Sequence, residues 1–189
     1  MRIIAALFAA GALALGLSGP AGAGAERWAV IGDGSTITLS VRAFGVTQTG
    51  RFGRWSGDIR FDPDAPRDAE VSITVRAASL TMRQAAVTRR AVGPAFLDAE
   101  RYPTIRFRLR DLEPTAPGRY TAQADVTVRD RTHPVSFPVT LSVEGETARM
   151  QGGFVLDRAA YGIGTQGAMN ALVARQVRVD VALATRRAS

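Results

Sequence analysis

The chain has 189 residues, with 24 basic and 17 acidic side chains, one His and no Cys. That excludes two full domains, thiol catalysis, thiolate metal sites and a disulfide scaffold, so the fold rests on packing alone. Every basic residue is Arg, which beside abundant Ala and Gly reads as a genome-composition bias before it reads as a nucleic-acid or acidic-ligand surface.

Arg2, the apolar stretch Ile3 to Leu17 and the small residues Ala21-Gly22-Ala23 or Ala23-Gly24-Ala25 predict a cleaved secretory signal peptide over residues 1–25. The apolar stretch falls short of the roughly 20 residues of a spanning helix. The expected mature domain is therefore 26–189, exported to the periplasm, where nucleic acid is not a partner.

From there the pattern is period two. Ile37, Leu39, Val41 and Ala43 alternate with polar neighbours, and so do Ile59 and Phe61, then Val71, Ile73, Val75 and Ala77. Met82 to Val92 breaks the alternation, is Ala-rich and closes on Gly93-Pro94, which predicts a short helix with a C-terminal glycine. Alternation resumes at Ile105, Phe107 and Leu109. It continues through Tyr120 to Val128, Val135 to Val143, Ala148 to Leu156 and Val177 to Leu183. Turn-forming clusters fall between these runs at 32–34, 62–66, 114–118, 131–134 and 144–146, so short hairpins and antiparallel pairing are expected.

Eight half-buried strands solve their edge problem by closing into an all-β barrel, and a two-sheet sandwich competes on periodicity alone. A lipid-embedded barrel with the apolar face outward is disfavoured. Three Tyr and two Trp are too few for two interfacial girdles, and no aromatic ends the last strand.

Catalytic patterns are scarce. His133 is expected in a hairpin turn before Pro134, and Asp62-Pro63-Asp64 reads as a surface turn. No phosphate loop, zinc-spaced His pair or nucleophile elbow occurs. The expectation is a non-enzyme with no metal and no cofactor; a hydrolase or isomerase working inside the barrel would need an acid–base pair that the spacing does not nominate. A barrel of about eight strands is either filled by its own side chains or holds one small ligand. Small residues on the apolar face, Ala43, Ala77, Ala122, Ala124 and Gly152, favour space for a ligand over a filled core.

Four strings occur in order: Phe61-Asp62-Pro63, Ala78-Ser79-Leu80, Phe96-Leu97-Asp98-Ala99-Glu100-Arg101-Tyr102-Pro103-Thr104, and Leu156-Asp157-Arg158-Ala159-Ala160-Tyr161-Gly162-Ile163-Gly164. Together with Ser40-Val41-Arg42, Gly50-Arg51-Phe52 and Trp55-Ser56-Gly57 they resemble the YceI-like family of exported polyisoprenoid-binding proteins, over about Trp28 to Leu183. The resemblance implies an extended eight-stranded antiparallel β-barrel, lipocalin-like, with a short helical insert. It also implies that an isoprenoid chain, such as a quinone or polyprenyl lipid, occupies an apolar tunnel for carriage, storage or sequestration. Carried over residue by residue, the lining comprises Leu39, Val41, Phe52, Trp55, Ile59, Phe61, Ile73, Phe96, Phe107, Phe137, Phe154 and Tyr161. Many members carry His where this chain has Gly34 and Ala43, so a different polar head is expected. The expected partners are the isoprenoid lipid and, at the periphery, an anionic membrane surface met by the outward Arg106, Arg108 and Arg110; a homodimer is allowed. The rival reading is a ligand-free structural or stress-response barrel acting through protein partners.

Overall fold

The structure, a computed structural model, describes residues 26–167 and 169–188. The predicted signal peptide lies outside the described residues. Ten strands form one antiparallel sheet: β1 (Glu26–Ala43), β2 (Val46–Phe52), β3 (Trp55–Phe61), β4 (Glu70–Arg76), β5 (Leu80–Met82), β6 (Thr104–Ala116), β7 (Arg119–Val128), β8 (Arg131–Glu144), β9 (Thr147–Asp157) and β10 (Val173–Arg187). Helix α1 (Ala85–Val92) precedes β6, and the single turn α2 (Met169–Leu172) precedes β10.

Eight of the strands make a closed ring, β1-β3-β4-β6-β7-β8-β9-β10, sealed by the pairing of β10 with β1. These are the eight that period-two alternation predicts, and closure settles the choice between barrel and sandwich. The apolar members of each alternation point inward: Ile37, Phe61, Ile73, Val126, Phe137, Phe154 and Leu183 all belong to one buried cluster. The outer wall carries charge, with exposed pairs such as Arg27–Asp58 at 3.6 Å and Arg67–Glu113 at 3.2 Å, each contributing at most about 1 kcal/mol. A lipid-embedded barrel has the opposite polarity.

β2 and β5 are additions to the predicted eight. β1 is long enough to change partners: residues 26–28 pair with β3, whereas 37–43 pair with β2, and β2 in turn takes β5. The change of partner comes at the predicted Gly32-Asp33-Gly34 turn, which is instead a bulge inside β1. Ile31 sits opposite Ala184 and Thr36 opposite Ala182, so the extra residues of β1 are looped out of the ladder. Ser35, 2% exposed, bridges the gap: its hydroxyl donates to the Ile31 carbonyl at 2.7 Å and accepts the Ala184 N–H at 2.9 Å. This satisfies backbone groups that the bulge would otherwise leave unpaired.

His133 lies inside β8 rather than in a turn. The β7–β8 hairpin reverses at Arg129-Asp130, with Arg129 itself at φ 58°. Pro134 and Pro138 are tolerated because β8 pairs with β9 only from Val139 onward, and both prolines fall on the stretch without that partner. The predicted helix is α1. It starts three residues later than predicted and ends at Gly93 in an extended conformation (φ −75°), so this glycine terminates the helix without a left-handed turn.

Candidate functional site: an apolar cavity at one end of the barrel

The barrel is filled at one end and hollow at the other. The filled end holds Trp28 from β1, Ile59 and Phe61 from β3, Leu112 from β6, Ala122 and Ala124 from β7, Val139 from β8 and Ala148 from β9, all buried. Trp28 is anchored by its indole N–H, which donates to the Phe61 carbonyl at 3.0 Å. The hollow end encloses a cavity of about 500 Å³, within the range of small-molecule sites. Its wall is the second half of β1, β2, β4, the first half of β6, the last turns of β7, and most of β9 and β10. From a rise of about 3.3 Å per residue and a tilt of ~40°, it extends roughly 15 Å along Met150–Leu156 of β9 and roughly 25 Å along Val173–Leu183 of β10.

Nine of the twelve residues that the resemblance nominates line this cavity: Leu39, Val41, Phe52, Ile73, Phe96, Phe107, Phe137, Phe154 and Tyr161. Ile59, Phe61 and Trp55 do not. β3 pairs with the first residues of β1, at the filled end, so Ile59 and Phe61 are core, and Trp55 borders a separate shallow cleft between β1 and β3. The small residues also divide differently from expectation. Ala43 faces the cavity, but Ala122 and Ala124 are packed at the filled end, and the space above Gly152 is taken by the Phe137 ring, 3.0 Å from where a Cβ would lie.

At the base of the cavity Phe107, Phe137 and Phe154 form a cluster. Phe137 and Phe154 have ring centroids 5.0 Å apart, and Phe107 meets Phe137 edge-on at 6.2 Å and Phe154 in a stacked arrangement at 6.4 Å. Such pairs contribute about 0.5–1.5 kcal/mol each beyond burial and hold the rings in fixed orientations.

The mouth is roofed by three segments. α1 presents Val87 and Ala91, one turn apart on one face, and Thr88 ties it to β5 by accepting the Met82 N–H at 2.9 Å. Phe96 and Leu97 follow from the next loop. The third segment, 158–164, fills the gap where β8 and β9 diverge: the Tyr161 hydroxyl donates to the Val126 carbonyl at 3.3 Å, and Arg131 donates to the Ala160 carbonyl at 3.0 Å. His133 also serves this segment. Its Nε2 lies 3.2 Å from the Ala160 carbonyl and its ring packs edge-on against Tyr161 at 4.8 Å. Burial, with a smaller contribution from Asp125, pushes the Tyr161 phenol up to about 12.

Arg158 holds the third segment in place and is the one positioning residue that alternation gave no reason to single out. It is 2% exposed. Its guanidinium donates to the carbonyls of Ala174 (3.0 Å), Ile163 (2.8 Å), Gly164 (2.8 Å), Asn170 (3.0 Å) and Val173. All five N–H donors are thereby used, which only the planar fork of Arg permits. Burial lowers its pKa from the ordinary value, an effect the neighbouring Asp157 carboxylate opposes. Within the sequence its only mark is a charge between two apolar runs of the Leu156–Gly164 string. Of the lining residues that the resemblance did not nominate, Val75, Val126, Val179 and Val181 lie on the inward face of the period-two runs, whereas Val87, Ala91 and Leu97 lie outside those runs.

Polar side chains reach the cavity at few points. Besides Tyr161 these are Gln48, Arg90 and Arg158. Among the described residues no three His, Asp or Glu side chains converge as a metal site requires. The arrangement is suited to enclosing an elongated apolar group whose polar end stays near the mouth.

Comparison with known proteins agrees with this geometry. A UPF0312 protein of Vibrio parahaemolyticus is 28% identical over 174 residues, covering 85% of this chain and 89% of its own. The crystal structure of BcnA from Burkholderia cenocepacia superposes with a TM-score of 0.77 at 23% identity, over 82% of this chain and 98% of that one. A polyisoprenoid binding domain from Saccharophagus degradans superposes with a TM-score of 0.69 at 14% identity, over 86% and 99% of the two chains; both likenesses are of fold. The YceI-like domain matches residues 28–185, from the tryptophan that plugs the filled end to the last residues of the closing strand, and the chain belongs to the YceI-like family.

Proposed function

We propose that this protein is an exported carrier that keeps an isoprenoid tail out of water in the hollow end of its barrel, for carriage, storage or sequestration. The observation that carries the reading is the apolar cavity of about 500 Å³, open at its mouth, in a barrel whose other end is filled by buried side chains. A filled core would have no reason to stop halfway. The structural neighbour described as a polyisoprenoid binding domain supports the ligand class. Each buried methylene contributes about 0.8 kcal/mol, so a few isoprene units outweigh the cost of association.

A cavity closed at one end admits one tail and leaves the head at the mouth. Gln48 on β2 and Arg90 on α1 are the groups placed to meet a quinone carbonyl or a polyprenyl phosphate there. The role requires no catalytic group and no cofactor.

Titration of delipidated protein with a short-chain ubiquinone, followed by equilibrium dialysis, tests the reading. Val179 lines the cavity from β10, and Val179→Phe narrows it without burying a charge. Saturable binding by the wild type that drops at least ten-fold in the variant supports the carrier. Absence of binding, or equal binding by both, overturns it and favours the ligand-free barrel acting through protein partners.

A further inference from the structure

The described residues include five large apolar side chains that are exposed, and three of them, Phe44, Val46 and Leu172, stand together at the mouth of the cavity. Phe44 occupies the tip of the β1–β2 hairpin at φ 53°, a left-handed conformation that bulky residues seldom adopt. It is 55% exposed while also lining the cavity. Its N–H donates to the Leu172 carbonyl at 2.9 Å, so the hairpin tip and α2 are joined into one rim. An exposed aromatic held at a backbone cost, continuous with an apolar interior, is the mark of an interaction surface.

Charge is concentrated at the same end. The segments that surround the mouth, residues 42–48, 82–103, 128–132, 157–167 and 169–176, contain eight Arg besides the buried Arg158, and four acidic residues. Two of the acids, Asp98 and Asp157, are already paired with Arg129 and Arg175. Most of the net positive charge of residues 26–188 thus lies around the opening. Arg106, Arg108 and Arg110, by contrast, lie along the wall of β6, and Arg110 is paired with Asp125.

We infer that the mouth docks on an anionic phospholipid bilayer, with Phe44, Val46 and Leu172 entering the interface and the surrounding Arg residues on the phosphates. An apolar rim within a basic ring is the pattern of peripheral lipid binding, and each basic residue near such a surface contributes a several-fold factor. This rests on the carrier reading: a tail leaving the bilayer then enters the cavity without crossing water.

The test uses the absence of Cys. Thr47→Cys at the mouth and Glu146→Cys at the far turn, each carrying an environment-sensitive dye, are mixed with vesicles of phosphatidylcholine with and without phosphatidylglycerol. The inference expects a blue shift at 47 only, only with phosphatidylglycerol, and weaker at high salt. Val46→Thr/Leu172→Gln, neither lining the cavity, and separately Arg42→Gln/Arg83→Gln/Arg89→Gln, are expected to lower vesicle binding about ten-fold or more while leaving ubiquinone titration unchanged. A shift at 146, no shift at 47, or full vesicle binding by both variants overturns the docking. Because the titration needs no membrane, failure of docking with intact ubiquinone binding condemns this inference alone, and the rim would then be assigned to a protein partner.

Discussion

The Phe96 ring lies over Gly164 so closely that a Cβ on Gly164 would sit 2.8 Å from the ring edge. The contact joins two of the segments that roof the cavity, and the Gly164 N–H donates to the Ala95 carbonyl at 2.8 Å beside it. Gly164 is also at φ 58°, so a side chain there meets both a steric and a backbone penalty.

Gly164→Ala is therefore expected to destabilise by about 2–4 kcal/mol, the sum of a left-handed backbone cost and overpacking against the ring. Gly167→Ala, at φ 63° with open space around it, isolates the backbone part, about 1 kcal/mol. Urea unfolding of the two variants measures the difference. Equal losses would show that the Phe96 contact contributes nothing.

Arg158→Met removes the donor for carbonyls on both sides of the 158–174 segment and leaves them buried. Unsatisfied buried acceptors cost about 1–3 kcal/mol each, so a loss of 3 kcal/mol or more is expected, with increased hydrogen exchange at 159–164. Arg158→Lys is expected to recover little, since an ammonium cannot span the same carbonyls.

Tyr161 makes stability depend on alkaline pH. Its folded pKa is raised to about 12, chiefly by burial, so the folded state holds the phenolic proton more tightly than the unfolded state. The resulting stabilisation is fully present below about pH 10 and is lost as pH rises toward 12, about 2 kcal/mol in total. Tyr161→Phe is expected to flatten that part of the profile in chemical denaturation from pH 9 to about 12. A wild-type slope that survives in the variant would assign it elsewhere.

Alternation made the ring of eight strands legible because every ring strand buries one face. It missed β2 and β5, since Gln48 and Gly50 interrupt the apolar face of β2 and β5 has three residues. Turn chemistry was less dependable than face polarity. Gly32 to Gly34 marked a bulge, and Pro134 marked an unpartnered strand edge rather than a turn. For the site, alternation tells inside from outside but not depth along the axis, so Phe61 and Phe107 look alike in sequence. Only the partner change in β1, which sets β3 at the filled end, separates them. The roof was legible through the Phe96 and Tyr161 strings, but Arg158 was not, because its role depends on carbonyls brought together by folding.

An isoprenoid tail held in the hollow end of the barrel would travel with the protein through purification. Organic extraction and mass spectrometry of the protein, purified without detergent from cells that express it, with Val179→Phe prepared identically, show whether it does. A near-stoichiometric quinone or polyprenyl lipid is expected in the wild type and none in the folded variant. A lipid-free wild type, or equal lipid in both, would contradict the carrier reading.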